Sequence, residues 1–564
     1  MPATQTPKSK AAERLDKLYE FDREPVTADR LLGPGYFAGS FAGEHVAATE
    51  FVIGVTFVNW GASVRDVFLG LALGNLLAVL TWTLICAPVA VQTRLTLYWY
   101  LRRIGGPVFS VLYNVLNAVL FCILAGCMIT VSASAVRIPF GIPPQVNWYP
   151  ADWRFSAIVL LVGAVVVTLA VLGFKKLAAF ATVCSPWMFL MFVCGALAVL
   201  PALAESAGSG RITSWSGFLD MTRRAVWLGR TPDGSPPLGF WRLAAFAWIC
   251  NLAMHGGLSD MALFRYARRA SYGLCSAFGM FLGHYVAWIA AGVMGAGAAV
   301  LANARLSGLD SGEVAYQALG VAGIIAVVIA GWTTSNPTLY RAGLALQAIT
   351  PDWSRAKITI AAGAVTTAVA CFPFVFTRLL DFVGLYGLLL APAGAIVVTE
   401  HWIFPRLGYT RFWAERRGAA LNWPALVSWG IAVAAGLGLM AAGVLHLFFL
   451  FLPVYALTAL LYLLLAPLAG ARGSYREAAP AQAPEPLRSP APGRTAAGRG
   501  LTYRVAGTAA LAALAACLWL SLTVFRETGA EAAEALARAR SWMLLPTLVY
   551  FVAGTLFYQS RGSK

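Results

Sequence analysis

Three short stretches of this chain set chemically able side chains among apolar neighbours. The first holds Gly39, Gly43, Glu44, His45 and Glu50. The second holds Trp248, Cys250, Asn251, His255, Gly256, Gly257 and Asp260, and the third runs from Ala330 through Thr333, Thr334, Ser335, Asn336, Pro337 and Thr338 to Tyr340. Carboxylates and imidazoles inside a helix bundle are the usual parts of a proton relay, which makes Glu44, His45, Glu50 and Asp260 proton-coupling candidates. A hard monovalent cation asks instead for several neutral oxygens. Thr333 and Thr334 can give two hydroxyls, completed by carbonyls of Ala330 and of the first stretch where its helix is broken. Each pattern also has a plainer explanation: glycines that let helices pack around a structural histidine, and hydroxyls that bond back to their own helix.

The surroundings of these residues are membrane. The chain is 59% hydrophobic and 12% charged, where a soluble domain is roughly a quarter charged. Apolar runs long enough to cross roughly 30 Å of hydrocarbon recur about fourteen times. Ten of them form a core over residues 36–403, in halves 36–205 and 240–403. A polar segment, 1–35, precedes the core without the apolar stretch and cleavage site of a signal peptide. Two further spans lie in 425–468 around a tight turn near His446. A Pro/Ala/Arg-rich stretch at 470–502 reads as a cytoplasmic linker, and 503–564 holds two last spans around an amphipathic segment with Glu531, Glu534, Arg538 and Arg540.

The net charge of +17 is not gathered into a basic stripe with interleaved aromatics, which argues against nucleic acid as a partner. The basic residues lie between spans. With both termini in the cytoplasm, roughly 29 of the 42 lysines and arginines fall on that side, as the positive-inside rule requires. The segment 206–239 fits less well, because Arg211, Arg223, Arg224 and Arg230 then lie outside, although long loops weigh less. The nine cysteines stand in apolar segments without metal or disulfide spacing, so they read as small core residues. Neither paired aspartates on a transferase loop nor a metal-binding H-E-x-x-H occurs, which argues against an enzyme.

The first two polar stretches are related. His45 is followed four residues later by Thr49-Glu50, and His255 four residues later by Ser259-Asp260. The offset of about 210 residues also carries the third span onto the eighth and the second near the seventh, so five spans are repeated. An odd-numbered unit must be inverted in the membrane, the arrangement by which many secondary transporters alternate access to a midplane site. In the eighth span, Pro337 is expected to interrupt the helix beside its hydroxyls.

Over roughly residues 36–468 the sequence resembles the nucleobase:cation symporter-1 family of cytosine, purine, uracil, allantoin and hydantoin permeases. The anchor is Trp332-Thr333-Thr334 followed by Leu339-Tyr340 and Gly343-Leu344-Ala345-Leu346. Ser259-Asp260 with Arg265, Ala391-Pro392-x-Gly394 and Glu400-His401-Trp402 support it. The resemblance implies an all-α polytopic membrane protein with a leucine-transporter-type five-plus-five inverted repeat, here extended by C-terminal spans. It implies symport with Na+ or, alternatively, H+, and no other cofactor. Carried onto this chain, the sodium-site positions fall on Thr333, Thr334 and Ala330, and the substrate-contacting stretch of the sixth helix on Cys250, Asn251 and His255. The usual base-reading asparagine of the eighth helix falls on Thr338, a departure. The third helix offers Tyr113, Asn114 and Asn117 where the family places an aromatic and an amide. A flat base needs a π face and matched donors and acceptors. Tyr113, Trp248, Asn251 and Asn117 can supply them, or can serve in packing between helices. The expected partners are a small solute and the lipid bilayer, with the chain a monomer or weak oligomer. A solute receptor on a transporter core is the competing reading.

Overall fold

The computed structural model describes residues 24–475 and 500–562, apart from Val146, Pro351 and Arg378. Most of the N-terminal segment and of the 470–502 linker therefore lies outside the described residues. Among the described residues there is no strand, and eleven helices are long and apolar enough to cross a membrane. In chain order the first half comprises α1 (Pro34–His45), α2 (Thr49–Asn59), α3 (Asp66–Thr93), α4 (Leu97–Val136), α5 (Trp153–Val171) and α6 (Phe174–Ser206). After the amphipathic α7 (Trp215–Ala225), the second half comprises α8 (Phe240–Ile249), α9 (Leu252–His255), α10 (Met261–Phe264) and α11 (Ala270–Leu301). It continues with α12 (Ser311–Leu319), α13 (Val321–Gln347), α14 (Arg355–Ala370) and α15 (Leu379–Val398). The C-terminal helices are α16 (Trp423–Ala441), α17 (Phe451–Ala466), α18 (Leu501–Phe525), α19 (Gly529–Trp542) and α20 (Leu544–Gly562).

Both polar stretches lie at helix breaks. α1 and α2 meet at a 52° bend, with His45 closing one helix and Thr49 opening the next. The sixth span divides into α8, α9 and α10, with Leu258 at φ 65° between the last two. Two glycines let neighbours back up against these breaks. A Cβ on Gly283 would stand 1.8 Å from the His45 carbonyl oxygen, and one on Gly394 would stand 1.8 Å from that of Gly256. The Ala391-Pro392-x-Gly394 motif thus packs helix backbone against the broken sixth span, a contact that only a residue without a side chain allows.

Another helix is divided, and one expected break is absent. α4 begins at Leu97, but Gly106, at φ 74° and ψ 178°, separates a short leading helix from the membrane-crossing part that starts at Pro107. Pro337 does not interrupt the eighth span, because α13 runs unbroken from Val321 to Gln347. Neighbouring hydroxyls occupy the helix carbonyls around the proline, Ser335 donating to Gly331 O at 2.7 Å and Thr338 to Thr334 O at 2.7 Å.

Candidate functional site

α13 packs most extensively against α4 and brings a charge to the broken helices. Arg341, fully buried, donates from Nη1 to Glu44 Oε1 at 2.6 Å and from Nη2 to Glu44 Oε2 at 3.0 Å. The same guanidinium donates to Asp260 Oδ1 from Nε at 2.9 Å and from Nη2 at 2.5 Å. Trp82 on α3 completes the set, its Nε1 donating to Asp260 Oδ2 at 2.7 Å. One guanidinium thus ties both breaks to α13. Two carboxylates against one cation leave this buried group formally one charge negative. Charges removed from water hold together only with such dense bonding, and loss of one partner costs about 3–5 kcal/mol.

Above this triad, four oxygens from two helices converge. Thr334 Oγ1 donates to the Glu44 carbonyl at 2.7 Å and also lies 3.1 Å from the Ala330 carbonyl. Thr333 Oγ1 lies 3.1 Å from the same Ala330 oxygen, with Met188 Sδ on α6 at 3.7 Å. The two hydroxyls, the Ala330 carbonyl and a carbonyl at the α1 break are the donor set expected for a hard monovalent cation. Neutral oxygens suit such an ion, and the negative triad below adds attraction.

Beside these oxygens lies a cavity of about 70 Å³, lined by Glu44, His45, Glu50, Cys250, Asn251, His284 and Thr334 among apolar side chains such as Phe121, Met128 and Val383. A water needs roughly 10–15 Å³ on this scale, so the space is small. Glu50 Oε1 lies 3.6 Å from His284 Nε2. His284 sits on a π-helical stretch of α11, Phe278–Ala287, the kind of widened turn often found at functional positions. Asn251 Nδ2 is 3.3 Å from His284 Nδ1. Because the amide N–H can only donate, Nδ1 accepts and Nε2 carries the hydrogen directed at Glu50. On the other side, His45 Nδ1 is 2.9 Å from the Phe41 carbonyl.

The structure gathers Glu44, His45, Glu50, Cys250, Asn251 and Thr334 onto one cavity wall. Asp260 stands behind Glu44, joined through Arg341. Thr333 and Ala330 flank Thr334 on α13. The remaining candidates stand outside this lining. Trp248 donates from Nε1 to Thr81 Oγ1 at 3.0 Å, and its carbonyl lies 2.7 Å from His255 Nε2. Asn117 accepts from Ser259 at 3.3 Å, Tyr113 is buried against Trp429, and Thr338 donates within its own helix. Arg341, His284 and Trp82 are absent from the sequence reading. Arg341 had a legible signal, since it is the single formal charge between residues 321 and 347, and an ionisable group at membrane depth is a functional candidate by default. His284 had a weaker one as a lone imidazole in an apolar run. Trp82 had none.

Known structures share this fold. Mhp1, a nucleobase-cation-symport-1 family transporter solved in a closed conformation with bromovinylhydantoin bound, aligns at TM-score 0.59 and 17% identity, over 80% of this chain and 96% of that one. Its inward-facing conformation gives TM-score 0.59 and 16% identity, over 80% and 94%. A Na+-coupled sialic acid symporter, in a substrate-bound outward-open state, aligns at TM-score 0.55 and 14% identity, over 82% and 96%. No protein-family profile and no curated protein matches the sequence. The inverted-repeat fold that the residue pattern implied is thus the fold of the molecule, and the family resemblance is borne out at that level.

Proposed function

We propose that the chain is a secondary transporter of the nucleobase:cation symporter-1 type, importing a small heterocyclic solute with a cation by alternating access across the cell membrane. The observation that carries this reading is the meeting of the Thr334 hydroxyl and the Glu44 carbonyl, 2.7 Å apart, at the break of α1. That meeting joins the candidate cation oxygens to the cavity wall through one residue, Glu44, so occupancy of one place bears on the other. Na+ is the leading coupling ion because its candidate ligands are neutral oxygens. Basic residues such as Arg94, Arg102 and Arg103 support a cytoplasmic setting for the N-terminal ends of α1 and α4.

A proton-driven cycle is the second reading, favoured by the Glu50 and His284 pair on the same cavity. Uptake of radiolabelled heterocycles by proteoliposomes separates the two. The expected result is accumulation under an inward Na+ gradient, lost in Thr334→Ala. Accumulation driven by a pH gradient alone and untouched by Thr334→Ala assigns coupling to protons, and failure to accumulate any solute under either gradient overturns the symport reading.

A further inference from the structure

Two buried polar side-chain atoms of the cavity lining have no hydrogen-bond partner, Glu50 Oε2 and His45 Nε2. Both are acceptors. Glu50 is 1% exposed and His45 is 2% exposed, so water does not freely compensate either. The ring of His45 is fixed by the Phe41 carbonyl, which can only accept, so Nδ1 carries the hydrogen and Nε2 presents its lone pair. Of the other side-chain acceptors near the cavity, both Glu44 oxygens are engaged by Arg341 and His284 Nδ1 by Asn251. No lysine or arginine lines the cavity. An unmatched buried acceptor costs roughly 1–3 kcal/mol, and a solute that brings donors recovers it.

From this imbalance we infer that the transported solute presents adjacent N–H donors, an amidine- or guanidine-type edge, and that Glu50 reads that edge. This rests on the symport reading above and narrows its substrate class. The two oxygens of a carboxylate match two parallel N–H groups. A heterocycle whose corresponding edge carries a carbonyl sets oxygen against oxygen and is rejected. His284 holds Glu50 from behind through Oε1 and acts as a positioning residue.

The test is a matched pair of probes, isocytosine, with its ring N–H beside an exocyclic amine, and uracil, whose ring N–H groups are flanked by carbonyls. Thermal-shift titration of the purified full chain in Na+ is expected to show isocytosine binding at least about a hundredfold tighter than uracil. In Glu50→Gln, whose amide offers one donor and one acceptor, that preference falls to within about tenfold as uracil gains and isocytosine loses. Opposite changes for the two probes are a readout that loss of packing does not produce. Should Glu50→Gln not fold, the wild-type pair still decides. Protection by uracil equal to or greater than that by isocytosine overturns the donor-edge assignment, and so does protection by neither. The symport reading is judged separately, by Na+-driven accumulation of any heterocycle.

Discussion

Arg341 makes four bonds to two carboxylates that lie on different helices, so its side chain is a cross-link as well as a charge. Removing it leaves Glu44 and Asp260 facing each other without a cation at membrane depth. Arg341→Gln is expected to lower unfolding stability by about 3–5 kcal/mol. Adding Asp260→Asn in the same chain removes one of the stranded charges and is expected to restore part of that loss. Thermal unfolding in detergent measures both, and additive losses in the double variant would show that the two residues act independently. The same scale explains what residue types alone could and could not disclose. Glu44, His45, Glu50 and Asp260 stood out because ionisable groups are costly in hydrocarbon. Trp82 did not, because an indole is an ordinary member of an apolar run, and only its 2.7 Å bond to Asp260 reveals a polar role.

Helices α18 to α20 clasp α6 on a face different from the one that reaches the candidate cation oxygens. Trp187 donates to Thr547 at 3.3 Å and Tyr550 to the Val183 carbonyl at 2.8 Å. Met188, next in sequence to Trp187, touches Thr333. The appended helices also reach α12, where Arg540 donates to the Gln317 carbonyl. Arg137 at the end of α4 holds the start of the same short helix through Asp310, with an N–O distance of 2.7 Å. Gly320, between α12 and α13, makes this junction possible. Its φ of 62° and ψ of −138° suit a residue without a Cβ, and an added Cβ would stand 3.0 Å from the Arg540 carbonyl oxygen. Gly320→Ala is expected to destabilise the protein by about 1–3 kcal/mol, seen as a lower midpoint of thermal unfolding. An unchanged midpoint would mean that the junction is slack. Periodicity alone had marked α19 as amphipathic, but its partner lies more than two hundred residues away in sequence.

Across the whole molecule, the cavity of about 70 Å³ adjoins a much larger one of about 1030 Å³, lined by Asn59, Trp60, the 231–238 loop and His446. Leu380 at the start of α15 belongs to both walls, so its side chain is part of what separates them. The alternating access proposed above requires Leu380 to move aside. Leu380→Cys is expected to react with a membrane-impermeant thiol reagent on intact cells faster than the parent chain, and saturating solute with Na+ is expected to slow that reaction. Labelling indifferent to solute would place the gate elsewhere. By itself, the sequence determined the solvent, the order of spans, the two broken helices and their repeat, since hydropathy, glycine content and charge are properties of each local stretch. Tertiary structure decided which buried groups meet. Glu44 and Arg341 are 297 residues apart in the chain, and His284 approaches Glu50 through a π-helical turn. A buried charge is satisfied by whatever packing brings within about 3 Å, and no local pattern records that distance.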